Sequence, residues 1–121
     1  MQPIKKTIRA AAPLTTGYVV GDVIANAGGM DQLVLGVAFT KGSLTSATIK
    51  IEFNLGGSTW YPETTDSASP TTFTRTYTAD FTGVIAIPIM FSSVRVSVIG
   101  VGTTTGSSMA IEAYLGRQNS L

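Results

Sequence analysis

The strongest constraint in this sequence is a period of two. In TIKIEF (48–53), Ile49, Ile51 and Phe53 fall on one side, with Lys50 and Glu52 on the other. In VRVSVIG (94–100), Val94, Val96 and Val98 oppose Arg95 and Ser97. In SSMAIEAYLG (107–116), Met109, Ile111, Ala113 and Leu115 alternate with Ala110, Glu112 and Tyr114. TTFTRTYT (71–78) sets Phe73, Arg75 and Tyr77 against a row of threonines. Successive side chains of a strand point to opposite faces, so this alternation marks half-buried strands. No segment shows a sustained helical period with caps. In DQLVLGVAF (31–39) the side opposite Leu33, Leu35, Val37 and Phe39 is Val34, Gly36 and Ala38, which is small and apolar. That pattern predicts a strand covered on both faces.

Gly-, Ser- and Asp-rich breaks separate these runs: AGGMD (27–31), KGSLTS (41–46), NLGGS (54–58), DSASP (66–70) and GTTTGSS (102–108). The expected strands are 17–25, 31–40, 45–54, 58–63, 71–79, 83–91, 93–100 and 107–116. About eight short strands at this spacing predict an all-β fold, a single antiparallel β-sandwich of jelly-roll type. Residues 1–14, marked by Pro3 and Pro13, read as an extended N-terminal arm, 15–116 as the sandwich domain and 117–121 as a flexible tail. On this reading, deleting residues 1–14 weakens assembly more than folding.

VIAIPIMF (84–91) is the longest apolar run and is apolar on both faces. Pro88 has no N–H to give a ladder, which sends this strand to an edge or a bulge. An edge so apolar is an aggregation hazard when bare, so a neighbouring chain or a loop is expected to cover it. The run is too short for a membrane helix of about 20 residues. The N-terminus lacks the apolar core of about 7–15 residues that a secretory signal needs. The chain therefore reads as soluble.

Composition narrows the chemistry. Charged residues are 12% of the 121 and the net charge is +1, so no field steers nucleic acid or an acidic membrane to the chain. Polarity comes instead from 18 Thr and 11 Ser. Lys5, Lys6 and Arg9 form the one basic cluster, and a solvated arm is the preferred reading over a polyanion contact. With no Cys and no His, thiol nucleophiles, imidazole bases and their metal sites are excluded. Most of the seven acids, Asp22, Asp31, Glu52, Glu63, Asp66, Asp80 and Glu112, fall at turns or outward positions. Glu63 and Asp66 share a loop and could hold a hard cation through oxygens, but no EF-hand spacing supports this. GVGTTTG (100–106) runs from strand to strand, without the helix N-terminus that a phosphate cradle needs. Phe73, Arg75 and Tyr77 weakly match a nucleic-acid stacking surface, and core packing is preferred. No catalytic, cofactor-binding or metal residue is assigned, and the chain reads as a non-enzyme.

NLGGSTWYPETT (54–65) holds the single tryptophan. Trp60 and Tyr61 are adjacent and should face opposite ways, one toward the core and one outward. Trp60 is placed to cap the core beside the Gly56-Gly57 turn. Core or hairpin packing, a protein contact and a glycan platform are the three readings, in that order of preference.

Two stretches resemble small structural proteins of tailed bacteriophages. TIRAAAPLTTGYVVGDVIANAGG (7–29) fills a pattern "t-x-Y-x-x-G-D-V-[IV]" with Tyr18, Gly21, Asp22, Val23 and Ile24. IKIEFNLGGSTWYPET (49–64) is similar to the strand, Gly turn and Thr-Trp pair of phage virion sandwiches, with Gly56-Gly57 where many have Asp-Gly. VRVSVIGVGTTTGSSMAIEAYLG (94–116) is similar too. The resemblance implies a non-enzymatic virion protein of a tailed phage, foremost a capsid decoration or cement protein that binds the capsid and self-associates as a homo-oligomer. The alternatives are a neck, tail or fibre component, or a carbohydrate- or receptor-binding module. Its implied partners are other virion proteins, with no nucleic acid, membrane or cofactor. The residues expected to touch partners are Trp60, Tyr61, Ile4, Lys5, Lys6, Ile8 and Pro88.

Overall fold

The computed structural model describes residues 4–25, 32–62, 74–88 and 93–116. Within them the chain is all β, in two antiparallel sheets. The strands are β1 (Ile4–Ala12), β2 (Val19–Val20), β3 (Ile24–Ala25), β4 (Gln32–Thr40), β5 (Leu44–Asn54), β6 (Trp60–Pro62), β7 (Thr74–Tyr77), β8 (Phe81–Pro88), β9 (Ser93–Gly102) and β10 (Ser108–Gly116). One sheet runs β1-β10-β4-β8. The other runs β2-β9-β5-β6, with β3 also on β9 and β7 also on β5. Because β2 and β3 share one lane, and β6 and β7 another, ten strands fill eight positions. This is the interleaved order of a jelly roll, in which the chain repeatedly crosses between sheets.

Alternation places the core between the sheets. Leu33, Leu35, Val37 and Phe39 of β4 and Met109, Ile111, Ala113 and Leu115 of β10 face Ala47, Ile49 and Ile51 of β5 and Val94, Val96 and Val98 of β9, all buried. Burying each large aliphatic side chain contributes about 1.5–3 kcal/mol. Tyr77 stacks on Phe81 with ring centroids 4.5 Å apart and lies tilted to Phe39 at 6.3 Å. Tyr77 therefore packs against the core edge, as preferred from sequence. Burial raises the pKa of its hydroxyl, and the nearby positive Arg75 opposes that rise.

Four expectations change. Residues 4–12 are not a separate arm: they are strand β1, paired antiparallel with β10 from Ile4↔Leu115 to Ala12↔Met109. Ile8 is 4% exposed and Leu14 2%, so the expected division at residue 14 cuts through the core. The short spacing of apolar residues in IKKTIRAAAPL hides this, because bulges shift the register on either side of Arg9. The stretch 17–25 is two two-residue strands rather than one. The outer side of β4 is not covered by the described residues: Ala38 is exposed, and Val34 and Gly36 are half-buried. Ser97, expected to face outward, is nonetheless buried, flanked across the ladder by Val20 and Lys50. The expected tail at 117–121 and the pair Glu63 and Asp66 lie outside the described residues, as does Phe73.

The side of the sandwich at β1 is stitched shut by backbone. The Gly21 N–H donates to Val96 O at 2.9 Å in one sheet, and the Asp22 N–H donates to Ile8 O at 3.0 Å in the other. A Cβ on residue 21 would lie 2.7 Å from Ile8 O, so the approach requires glycine. Lys6 Nζ donates to Val23 O at 2.7 Å, Ile24 is fully buried, and Tyr18 lies under Lys50 Nζ at 4.3 Å. The Tyr-x-x-Gly-Asp-Val-Ile pattern is thus the link between the two sheets.

Since β1 completes the sheet, Ile8→Ala should cost about 2–4 kcal/mol of stability, read by urea denaturation. Deleting residues 1–14 should cost more and leave no cooperatively folded domain. A truncated domain with near-native unfolding would contradict this.

Candidate interaction surface

The two outer faces differ in chemistry. On the β9-β5 sheet, outward positions carry Thr48, Lys50, Glu52 and Arg95. Glu52 and Arg95 sit directly opposite in the ladder, and Arg95 Nε donates to Glu52 Oε1 at 3.0 Å. The Arg95 guanidinium also lies 4.5 Å from the Trp60 ring centroid. Trp60 pairs with Asn54 and Tyr61 with Phe53, so the two aromatics do face opposite ways. Trp60 does not cap the core, however. It lies half-buried on the outer face beneath Arg95, and Tyr61, on the inner side, is 52% exposed at the rim. The hairpin reading fits Trp60. Asn54 closes that hairpin: its Nδ2 donates to Gly57 O at 2.7 Å, and its Oδ1 accepts from the Gly56 N–H at 2.8 Å.

On the β1-β10-β4-β8 sheet the outer face carries an apolar patch across β10, β4 and β8. Gly36, Ala38 and Ala110 form the floor of a shallow concavity of about 330 Å³, with Tyr114 and Val84 rising beside it. The Tyr114 ring lies over Gly36, 3.5 Å from where a Cβ would stand, a distance at which an alanine would also fit. Val84 is 69% exposed and Tyr114 39%. The one carboxylate at the rim, Glu112, accepts from Thr7 Oγ1 at 3.0 and 3.2 Å. A small, flat, apolar floor with a single engaged carboxylate offers no paired acid and base. It suits close apposition to another flat surface, because few charges must be desolvated.

The expected partner residues do not gather at one place. Lys5 pairs with Tyr114, at the β1 margin of the apolar face, whereas Ile4 pairs with Leu115, a position on the core side of β10. Lys6 is engaged by Val23 O. Ile8 is a core residue, so its side chain serves this chain's own packing. Arg9, the third cation of the cluster, donates to the carbonyls of Met109, Ala12 and Pro13 at 2.9–3.2 Å, and burial lowers its pKa from the ordinary value. Pro88 closes edge strand β8, opposite Gln32, while Trp60 and Tyr61 belong to the other sheet. Sequence reasoning did not single out Ala38, Val84, Ala110 or Tyr114. The available signal was the apolar outward row of DQLVLGVAF, beside a strand apolar on both faces. Among the described residues, no three or more His, Cys, Asp or Glu side chains cluster as metal ligands.

No protein-family model and no curated protein sequence matches the chain. Among solved structures, one of Bacillus endospore appendages, a family of disulfide-linked pili, is similar at TM-score 0.48 and 12% identity, covering 97% of this chain and 90% of that one. A chain from the structure of infectious bursal disease virus, Gx strain, is similar at TM-score 0.37 and 14% identity. That match covers 98% of this chain but 33% of the viral one, so this chain spans about a third of its length. Both likenesses are distant, and neither assigns a role to a residue here.

The stacked pair on the polar face gives a direct test. A double-mutant cycle of Trp60→Ala and Arg95→Ala should return a coupling of about 0.5–1 kcal/mol, as for other partly exposed cation–π pairs. Zero coupling would mean that the stacking contributes nothing to the hairpin.

Proposed function

We propose that this chain is a non-enzymatic structural protein that works by packing against other subunits, and that its setting is the virion of a tailed phage. The observation that carries the reading is the outer face of the β1-β10-β4-β8 sheet. Its floor of Gly36, Ala38 and Ala110 is apolar and shallow, while the opposite outer face carries the Glu52–Arg95 ion pair and the bonded hydroxyls of Thr48 and Thr76. A side chain set this small serves shape fit between surfaces, not the grip on a reacting atom. The phage setting rests on the resemblance of residues 7–29, 49–64 and 94–116. In its most specific form the reading is a capsid decoration or cement protein that lays this face on the capsid and associates with its own copies.

Trp60 bears on the carbohydrate-binding alternative. Its ring is occupied by the Arg95 guanidinium, which leaves that face unavailable to a stacked sugar. Tyr61, at 52% exposure on the other side of the hairpin, is the aromatic a partner would meet at that rim.

The test is co-sedimentation of the full chain with purified capsids, alongside light scattering of the protein alone. Ala38→Asp, on the apolar face, should reduce capsid binding at least tenfold while leaving the circular dichroism spectrum unchanged. Thr48→Asp, on the polar face, should not. A chain that stays monomeric and never sediments with particles would sink the reading.

A further inference from the structure

We infer that β8 is a pairing edge for a second copy of this chain, and that two β8 strands meet antiparallel across a twofold axis at Val84. This deepens the self-association in the proposed function and rests on it.

The four outer lanes of the sandwich are treated differently. An open strand edge exposes unpaired N–H and C=O groups, and proteins blunt it with short strands, charge, bulges or cover. The β2/β3 lane consists of two-residue strands, and the β6/β7 lane of strands of three and four residues. Strand β1 is long, but it carries Lys5, Lys6 and Arg9, and its register shifts on both sides of Arg9. It is also tied down by the Asp22 N–H on Ile8 O and by Lys6 Nζ on Val23 O. Strand β8 has none of these. It is eight residues long, carries no charge, and pairs with β4 in unbroken register from Phe39↔Phe81 to Gln32↔Pro88. Among the described residues no strand lies beyond it. Only Pro88, its last residue, acts as a stop.

The occupant follows from what can pair with such an edge. A charged, bulged strand such as β1 would break the ladder and bring lysines against an uncharged edge with nothing to meet them. An uncharged, unbroken strand of equal length is the fitting partner, and β8 of a second copy is one. Strand-edge pairing between identical strands closes as an antiparallel twofold, with one surface used by both copies.

Register then follows from the pleat. Directly opposed residues in a sheet share a face, and a one-residue slip would turn the core side outward. The axis must therefore pass through a residue, not between two. Centring on Val84 pairs Ile85 with Gly83, Ala86 with Thr82 and Ile87 with Phe81. This uses residues 81–87 and leaves Pro88 outside the ladder. Centring on Ile85 would bring Pro88, which lacks an N–H, inside it. The Val84 centre also sets the most exposed large apolar side chain among the described residues of this face against its own copy: each Val84 is 69% exposed in the single chain. The apolar floors of the two copies then join into one surface across eight strands.

Because the chain has no cysteine, a single introduced thiol reports the contact cleanly. Directly opposed Cα atoms lie about 4.5–5.5 Å apart in an antiparallel pair, within the disulfide range of about 4.4–6.8 Å. Val84→Cys should form a covalent dimer under mild oxidation, visible on a non-reducing gel and reversed by reductant. Thr82→Cys should not, because its counterpart lies about 13 Å away along the strand. Separately, Val84→Lys and Val84→Glu should each be monomeric by light scattering, since like charges directly opposed across a ladder repel, and an equimolar mixture should dimerise. Wild-type protein that associates, while neither cysteine variant or both crosslink equally, would overturn the Val84 twofold and leave the assembly reading standing. Wild-type protein that is monomeric at every concentration would overturn the twofold, and one that also never sediments with capsids would overturn the assembly reading with it.

Discussion

The structure depends on the closure of two apolar inner faces upon each other. Strands β4 and β10 supply one and β5 and β9 the other, and these are the central lanes of their sheets. They also hold most of the buried side chains. With 12% charged residues and no disulfide, nothing else on the scale of this burial holds the chain together. Every other feature is an adjustment at the margins of that layer, where lanes must start, stop or meet solvent.

The two margins are handled in opposite ways. On the β1 side, residues 14–23 run between the sheets and bond to both, using the one residue, Gly21, whose missing side chain permits the approach. The turn from Lys41 to Leu44 is held similarly: Gly42 has φ +57°, and a Cβ there would fall 2.4 Å from the backbone of Gly106. On the β8 side there is no such stitch among the described residues. The contacts there are the Tyr77–Phe81 stack and the Lys41 N–H donating to Asp80 Oδ1 at 2.8 Å. A sandwich closed at one margin and open at the other has a direction in which it can grow.

The motifs that carry a resemblance to phage structural proteins turn out to be fold devices. Tyr18, Gly21, Asp22, Val23 and Ile24 build the inter-sheet stitch, and Asn54 to Trp60 build a hairpin locked by a side-chain amide and a stacked arginine. Such residues specify how the chain closes. The apolar outer patch lies elsewhere, on Gly36, Ala38 and Ala110, residues that make no motif at all.

Local alternation was enough to fix the central strands β4, β5, β9 and β10, their inward residues and the all-β sandwich. Ile49, Ile51, Val96, Ile111 and their neighbours face inward as a two-residue period demands, because the pleat leaves no other choice. It was also enough to put Pro88 on an edge, since a missing N–H is a property of the residue itself. Tertiary structure alone decided the fate of β1, whose bulged register around Arg9 blurs its alternation and whose partner, β10, is about a hundred residues away. It alone decided that Trp60 lies outward under Arg95, because that depends on which strand runs beside β5. It also decided which outer face is polar and which is bare. Ala38, Val84 and Ala110 are unremarkable one by one in the chain, and only the lane order β10-β4-β8 lays them side by side.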